Sequence, residues 1–219
     1  MSVFLNDHRI AYFSVPKCGC TSLKSLFFEI ENGIPIERLR ANGQIVNVHV
    51  LYPGLAFARA MRESAGDWLR IAVVRDPVSR ILSAYENRGI HHGFLRDLEL
   101  TQEQRKRGLV PSPTIHEFLR NMKAYRSLSR DVEHHTRPIT HFLGKDPGVF
   151  DRIFRMSELD EMVALLRERI GSVPALGHKQ RGLRKLSRDD LSAEEIAKIE
   201  RIFAEEIELF GRWMRPEGS

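Results

Sequence analysis

The sequence predicts an α/β fold in which helices flank a central, mainly parallel sheet. Four short apolar runs indicate strands, and stretches with an apolar residue at every third or fourth position indicate helices between them. Strands that alternate with helices form βαβ units, whose parallel strands are covered by helices on both faces. Ligands bind such sheets at the carboxyl ends of the strands, so we expect a site in the turns that follow strands.

The elements can be assigned in order along the chain. The predicted strands span residues 9–15, 45–50, 70–74 and 149–154. The predicted helices span residues 22–31, 54–65, 78–88, 114–126, 157–170 and 192–213. The last three helices open with the spacing of a capping box, in which a hydroxyl and an acidic side chain three residues later cap the first turn. The pairs are Thr114 with Glu117, Ser157 with Asp160, and Ser192 with Glu195.

Length and hydropathy predict a single domain over residues 1–219. A chain of 219 residues is long enough for one sizeable core, and 42% hydrophobic with 29% charged residues is an ordinary globular composition. No apolar stretch approaches the roughly 20 residues that cross a bilayer, and nothing near the start has the features of a secretory signal. We therefore expect a cytoplasmic protein without an integral membrane segment. Peripheral membrane association and the oligomeric state stay open.

Charge and cysteine content narrow the class of ligand. The net charge is +5, and 26 arginines outnumber 8 lysines, which favours an anionic partner. The two cysteines, Cys18 and Cys20, lie in one predicted turn and are expected to be reduced thiols. They would supply two soft metal ligands, but no second pair at a suitable spacing completes a set of four, so no metal is expected.

The turn after the first predicted strand, from Lys17 to Thr21, has the features of an anion site. Amides at the start of the following helix bind anions with help from the helix dipole, and Gly19 lets the backbone approach closely. Lys17 adds a positive charge, and Thr21 and Ser22 add hydroxyl donors. The residue order differs from a Walker A loop, so the turn is P-loop-like with altered chemistry. An ordinary turn with Ser22 as the helix N-cap is the alternative.

Residues 71–88 repeat this layout, with a strand, a turn at Asp76 and Pro77, and a helix. Arg75 closes the predicted strand, and Ser83 lies one and a half turns into the helix. The guanidinium fork and the hydroxyl could grip a second anion. A plain surface ion pair between Arg75 and Asp76 is the alternative. Together the two turns would bind a ligand with two separated anionic groups, such as a nucleotide phosphorylated at both ends of its ribose.

Both motifs resemble those of a known family. "VPKCGCTSLK" (15–24) is similar to the 5'-phosphosulfate loop of sulfotransferases, and "VVRDPVSRILSAYENR" (73–88) is similar to their 3'-phosphate motif. The resemblance is strongest to the carbohydrate branch, which makes chondroitin, dermatan, heparan and related sulfated glycans. It implies a P-loop-like three-layer fold, 3'-phosphoadenosine 5'-phosphosulfate (PAPS) as co-substrate, a carbohydrate or glycolipid hydroxyl as acceptor, and chemistry without a metal.

The resemblance also implies which residues contact the nucleotide. Those that would hold its 5' end are Lys17, Cys18, Gly19, Cys20, Thr21 and Ser22. Arg75 and Ser83 would hold the 3'-phosphate. "QRGLRK" (180–185) resembles the loop that closes over the nucleotide, which makes Arg181 a third phosphate contact. The predicted loops 89–113 and 172–190 would cover the active site, unless they are simply solvated surface.

The sequence departs from the animal enzymes of this branch. Those enzymes carry a membrane anchor and lumenal cysteines, which are missing here, so the resemblance implies a bacterial-type member without an anchor. "HTRP" (135–138) resembles the family's His-Trp-x-Pro segment, with Thr136 in place of the tryptophan. The acceptor and the hydroxyl that receives the sulfuryl group stay open.

Sulfuryl transfer is an in-line displacement that needs a base for the acceptor hydroxyl and positive charge at the leaving oxygens. Lys17 is the candidate for stabilising the leaving group. Histidine suits the base, since its unperturbed pKa is about 6.5. His49 is the first candidate, because it lies near the end of the predicted strand before the 3'-phosphate motif, where related enzymes often place their base. His135 is the second candidate.

Two other classes of function stay open at this point. A P-loop kinase acting on a small molecule would need an acidic magnesium ligand at a strand end, for which Asp76 is the obvious candidate. A non-catalytic nucleic-acid-binding protein would use the basic stretches 105–107 and 179–188. No aromatic residues are interleaved with those charges, so we expect no nucleic-acid partner.

Overall fold

A four-stranded sheet brings together strands from both halves of the chain. In the computed structural model, which describes residues 2–177 and 186–214, the strands are β1 (Ser2–Leu5), β2 (Ile10–Phe13), β3 (Arg40–Ala41), β4 (Gln44–Ile45), β5 (Leu69–Val74) and β6 (Arg152–Arg155). The sheet has the order β1-β2-β5-β6, and β3 pairs with β4 in a separate hairpin. The strands β2, β5 and β6 run parallel, and β1 joins antiparallel at one edge. The predicted α/β architecture with a mainly parallel sheet is confirmed.

The middle strands of the sheet are buried along their length. Every residue of β2 is buried, as are the last four residues of β5. Continuous burial is expected where both faces of a parallel strand are covered. Aromatic rings fill the space beside β2, where Tyr12 stacks on Phe27 and Phe13 meets Phe150 edge to face.

One strand predicted from the sequence is wrong, and one strand of the four-stranded sheet was not predicted. Residues 45–50 were expected to form a strand, but only the hairpin strand β4 and a short helix occupy this stretch. The physical reason is Asn47, whose side chain accepts a hydrogen bond from the amide of His49 and so caps a helix. Strand β1 was not anticipated, because its extended form depends on pairing with β2.

The described residues fall into two compact units, each with its own helices. Residues 2–74 and 139–177 form the first unit, and residues 75–138 and 186–214 form the second. The α-helices of the first unit are α1 (Cys20–Asn32), α2 (Val48–Leu51), α3 (Phe57–Glu63), α9 (Thr140–Leu143) and α10 (Leu159–Ile170). Those of the second are α4 (Pro77–Ala84), α5 (Gln102–Lys106), α6 (Ile115–Arg120), α7 (Met122–Leu128), α8 (Arg130–Thr136), α11 (Ala193–Ile202) and α12 (Ala204–Phe210).

The second unit contains most departures from the predicted helices. The expected helix over 114–126 is two helices, α6 and α7, separated at Asn121, and the expected helix over 192–213 breaks at Phe203. Helix α4 continues into a π-helix, Tyr85–His91. Residues Leu95, Leu100 and Leu109 of the predicted loop 89–113 are buried in the core of this unit, so the loop is not simply solvated surface.

Local capping signals were reliable where the hydroxyl stands just before the helix. The capping boxes of Thr114 with Glu117 and of Ser192 with Glu195 are both present. The third predicted box is wrong, because Ser157 lies inside a 3-10 turn, Met156–Glu158, that precedes α10. There Glu158 accepts a hydrogen bond from the amide of Arg155 instead.

A buried ion pair ties α4 to α12 in the second unit. The guanidinium of Arg80 donates to both carboxylate oxygens of Glu206, at 2.9 and 3.2 Å, and to the carbonyl of Arg137 at 2.7 Å. Both charged side chains are fully buried. The ring of Phe203 lies against the guanidinium, 5.1 Å from centroid to Cζ. Such a pair stabilises little in itself, but losing one partner leaves a buried charge without its counterion.

No helix within the described ranges is long and apolar enough to cross a membrane.

We predict that Glu206→Ala lowers the free energy of unfolding by about 3–5 kcal/mol, because the buried Arg80 charge loses its carboxylate. Urea unfolding followed by circular dichroism measures the change. The matched control is Glu63→Ala, which removes the exposed partner of Arg59 and should cost less than about 1 kcal/mol. A double variant, Arg80→Met with Glu206→Leu, should recover most of the loss. A loss for Glu206→Ala as small as the control's would contradict the prediction.

Candidate active site

The turn between β2 and α1 has an unusual backbone. Lys17 has a φ of 67° and Gly19 a φ of 69°, so two of its residues adopt the left-handed conformation. Glycine does so freely, whereas lysine pays a steric cost that is typically retained at functional sites. A Cβ on Gly19 would lie 3.5 Å from Met156, which is ordinary contact, so the left-handed φ and not a lack of space is what favours glycine there. The turn is therefore held in a special conformation with Lys17 half-buried on it.

Helix α1 begins directly after this turn. Gly19 is its N-cap, and as a glycine it has no side chain to cap the helix. The alternative assignment of Ser22 as the N-cap is wrong, because α1 already begins at Cys20. Thr21 and Ser22 both lie half-buried in the first turn of the helix. Amides at such a helix start, next to a lysine and two hydroxyls, form an environment suited to an anion.

His49 reaches the first turn of α1 from helix α2. Its Nε2 lies 3.0 Å from the Thr21 hydroxyl oxygen. The sequence predicted His49 at a strand end, so its secondary structure was wrong. The residue is nevertheless half-buried beside one of the predicted donor-binding residues. The distance from Nε2 to the hydroxyl is that of a hydrogen bond.

Lys24 completes this cluster and was not anticipated from the sequence. Its side chain is fully buried, and its Nζ donates to the carbonyl of Tyr52 at 2.8 Å and lies 3.5 Å from His49 Nδ1. Burial lowers the pKa of Lys24, and a negative charge on Cys20 would act in the opposite direction. The available signal was a lysine on the apolar stripe of an amphipathic helix, between Leu23 and Ser25 and one turn after Thr21.

The turn after β5 contains the second group of predicted residues. Arg75 follows the last residue of β5 and so comes just after the strand instead of closing it. Asp76 is the N-cap of α4, accepting from the Ser79 amide at 3.1 Å, and it is only 3% exposed. Its charged neighbour is Arg188, at 3.5 Å. Because Asp76 is buried, the alternative of a plain surface ion pair with Arg75 does not fit the structure. Ser83 is half-buried on α4.

The pairing of the sheet relates the two strand ends. Tyr12 of β2 is paired with Ile71 of β5, and Phe13, the last residue of β2, is paired with Ala72. The parallel strands β2 and β5 thus end at the same edge of the sheet. In the chain, the Lys17 turn follows one of these ends and Arg75 follows the other.

His135 belongs to the second unit and has both ring nitrogens engaged. Its Nδ1 donates to the carbonyl of Asp131 at 2.7 Å, and its Nε2 accepts from Nε of Arg88 at 3.0 Å. These partners fix the tautomer, since a carbonyl can only accept and a guanidinium can only donate. Thr136, which replaces the family's tryptophan, is buried and donates to the carbonyl of Val132.

The remaining predictions concern the two cysteines, a metal site and the loop that contains Arg181. Both cysteines are thiols, Cys18 buried and Cys20 half-buried. Within the described parts of the chain no three metal-ligating side chains cluster. Arg181 and the rest of "QRGLRK" (180–185) lie outside the described residues, as does the middle of the predicted loop 172–190. The covering role of that loop stays a prediction.

Comparison with known proteins assigns the chain to a family. The model of the family described as "Sulfotransferase family" matches residues 2–211, which is nearly the whole sequence and includes both turns. No curated protein and no solved structure matches the sequence. The chain therefore belongs to the Sulfotransferase family, and the protein is a sulfotransferase.

Proposed function

We propose that the enzyme transfers a sulfuryl group from PAPS to a hydroxyl of a carbohydrate or glycolipid, in a fold of the P-loop-like class. The observation that carries this proposal is the contact between Thr21 and His49. It joins a hydroxyl of the predicted donor-binding turn to a histidine, the residue type whose unperturbed pKa lies nearest to neutral pH. A predicted donor-binding residue and the candidate base thus lie in contact, which is the proximity that a transfer reaction requires.

The donor's 5' end would lie in the turn from Lys17 to Ser22. Its fit rests on the left-handed backbone at Lys17 and Gly19, the start of α1 with glycine as its N-cap, and the hydroxyls of its first turn. These groups offer a cation and hydrogen-bond donors to an anion. Cys18 and Cys20 would line this turn through their backbone, with Cys18 itself buried.

Arg75 and Ser83 would bind the 3'-phosphate. Arg75 directly follows a central strand of the sheet, and α4 begins two residues later with Asp76 as its cap. A buried, hydrogen-bonded cap fixes the backbone at this point, so the position of the arginine is defined by rigid elements. Arg181, from the family's closing loop, would be the third contact.

The proposed chemistry is a single displacement at sulfur. The bond from the acceptor oxygen to sulfur forms while the bond from sulfur to the bridging oxygen of the nucleotide breaks. His49 accepts the proton of the acceptor hydroxyl at Nε2, and Lys17 stabilises the negative charge that develops on the leaving oxygen. Before the acceptor binds, the Thr21 hydroxyl is the hydrogen-bond partner of Nε2, and the acceptor hydroxyl then takes its place. No residue in this scheme needs a metal ion.

His135 is the second candidate for the base. It would have to give up the hydrogen bond that its Nε2 accepts from Arg88, a guanidinium that cannot release a proton. His49 Nε2 lies against the Thr21 hydroxyl, which can either donate or accept a hydrogen bond and so does not oppose an unprotonated nitrogen. We therefore prefer His49.

Membership in the carbohydrate branch, of bacterial type, rests on the resemblance of the two motifs and of "HTRP". An excess of arginine suits an acceptor that already carries carboxylate or sulfate groups. Transfer of radiolabelled sulfate from PAPS to a panel of neutral glycans, acidic glycans and glycolipids would identify the acceptor.

We predict that the protein binds adenosine 3',5'-bisphosphate and that Arg75→Ala weakens this binding by about 10- to 100-fold, because a charge-assisted contact with the 3'-phosphate is lost. Isothermal titration calorimetry measures both affinities. Arg59→Ala, at an exposed site in the first unit, is the matched control and should bind normally. No binding of the bisphosphate would reject PAPS as the donor. A preference for ATP with magnesium would do the same and would favour a kinase.

Lys17→Ala is expected to lower kcat by about 100- to 1,000-fold and to change bisphosphate affinity much less, because Lys17 acts on charge that appears only in the transition state. Initial rates with the acceptor from the panel, together with calorimetry, separate the two effects. Lys145→Ala, which removes an exposed lysine, is the control. Equal losses in rate and affinity would make Lys17 a ligand of the ground state only.

His49→Gln should lower kcat by about 100- to 10,000-fold, the usual range for loss of a general base, and leave donor affinity nearly intact. The same assays apply, with His141→Gln, at an exposed position of α9, as the control. Retained transfer in His49→Gln, together with loss of transfer in His135→Gln, would move the role of base to His135.

A further inference from the structure

The fully buried lysine of α1 has no place in the chemistry described so far. Lysine is rarely buried completely, because removing its charge from water is costly. Lys24 is nevertheless 0% exposed, with its Nζ between the carbonyl of Tyr52, at 2.8 Å, and Nδ1 of His49, at 3.5 Å. The proposed base is thus contacted on one ring nitrogen by Thr21 and approached on the other by Lys24.

The protonation state of Lys24 decides what His49 can do. An ammonium group can only donate hydrogen bonds, so a charged Lys24 would donate to Nδ1 of His49. The proton of the neutral ring would then be on Nε2, and a protonated Nε2 cannot take the proton of the acceptor. A neutral amine has two donors and one lone pair. It can donate to the Tyr52 carbonyl and accept from Nδ1–H, which leaves Nε2 unprotonated and able to accept a proton. Burial of Lys24 favours the neutral form.

Some charged groups near this cluster favour the ammonium form of Lys24, and others favour its neutral form. Cys20 opens the same helix, and a thiolate there would favour the ammonium form of Lys24. Glu31 accepts a hydrogen bond from the Tyr52 hydroxyl at 2.7 Å and so lies on the other side of that residue. Protonation of His49 itself favours a neutral Lys24, because two cations about 3.5 Å apart repel each other strongly away from water.

We propose that Lys24 is a positioning residue that holds His49 with its proton on Nδ1, so that Nε2 is the nitrogen that accepts a proton. Lys24 acts through its lone pair and touches neither substrate. The inference rests on the proposed role of His49 as the base and adds the group that orients it. It corresponds to the general rule that the partner of one ring nitrogen determines which nitrogen takes part in chemistry.

Nitrogen-15 NMR of the histidine side chains tests this directly, because protonated and unprotonated ring nitrogens have distinct chemical shifts. Spectra are recorded on the uniformly labelled protein without substrate, about 1.5 pH units above the usual imidazole pKa, so that the ring is neutral. The signals that vanish in His49→Gln identify His49. We expect the Nδ1–H form in the native protein. Finding the Nε2–H form, which predominates for neutral histidine in water, would overturn the proposal without any variant of Lys24.

Lys24→Met is the matched variant, since methionine has a similar length but cannot accept a hydrogen bond from Nδ1–H. We expect His49 to change to the Nε2–H form, with kcat falling by about tenfold or more and the KM for PAPS unchanged. Lys24→Arg should give the same tautomer change, because a guanidinium only donates. An unchanged Nδ1–H tautomer in Lys24→Met, whatever happens to thermal stability, would reduce Lys24 to a packing residue.

The two proposals can fail separately. The tautomer is read without substrate, so a change in Lys24→Met would support the positioning role even if His49→Gln kept full transfer activity. In that case the role of His49 as the base would fail. Loss of transfer in His49→Gln, combined with an Nε2–H ring in the native protein, would keep the base and overturn the role of Lys24.

Discussion

The parallel pairing of β2 with β5 is the constraint on which the candidate site depends. Two segments far apart in sequence become neighbours in one sheet, and their register makes them end at the same edge. A parallel pair cannot be joined by a tight turn, so the long connection between the strands has room for α1, α2 and α3. The residues that contact one another around His49 all come from that connection.

Helix α1 turns this connection into a chemical arrangement. Thr21 and Lys24 are three residues apart, so they lie on the same side of the helix. The imidazole of His49 lies across that side and meets the threonine with one nitrogen and the lysine with the other. One helix therefore presents a hydroxyl near solvent and an amine in the interior to a single ring. This difference in burial can give the two ring nitrogens different tasks.

The sequence predicted features that depend on neighbouring residues better than those that depend on distant ones. The strand at 70–74, helix α1 and the Thr114 and Ser192 caps follow from local patterns, and all are present. The alternating apolar pattern over residues 45–50 predicted a strand, which is wrong because the side chain of Asn47 stabilises a helix there. The burial of Lys24 could not be predicted with confidence from spacing, because its carbonyl partner lies in another part of the chain.

The π-helix after α4 has a consequence for how the enzyme can vary. In this stretch the amide of His92 bonds to the carbonyl of Asn87, five residues back, so each turn holds an extra residue. The wider turns place the side chains of this segment at different angles around the helix axis than an α-helix would. A deletion of one residue here would restore an ordinary α-helix and turn the surface around Arg88 and His91 toward a different direction.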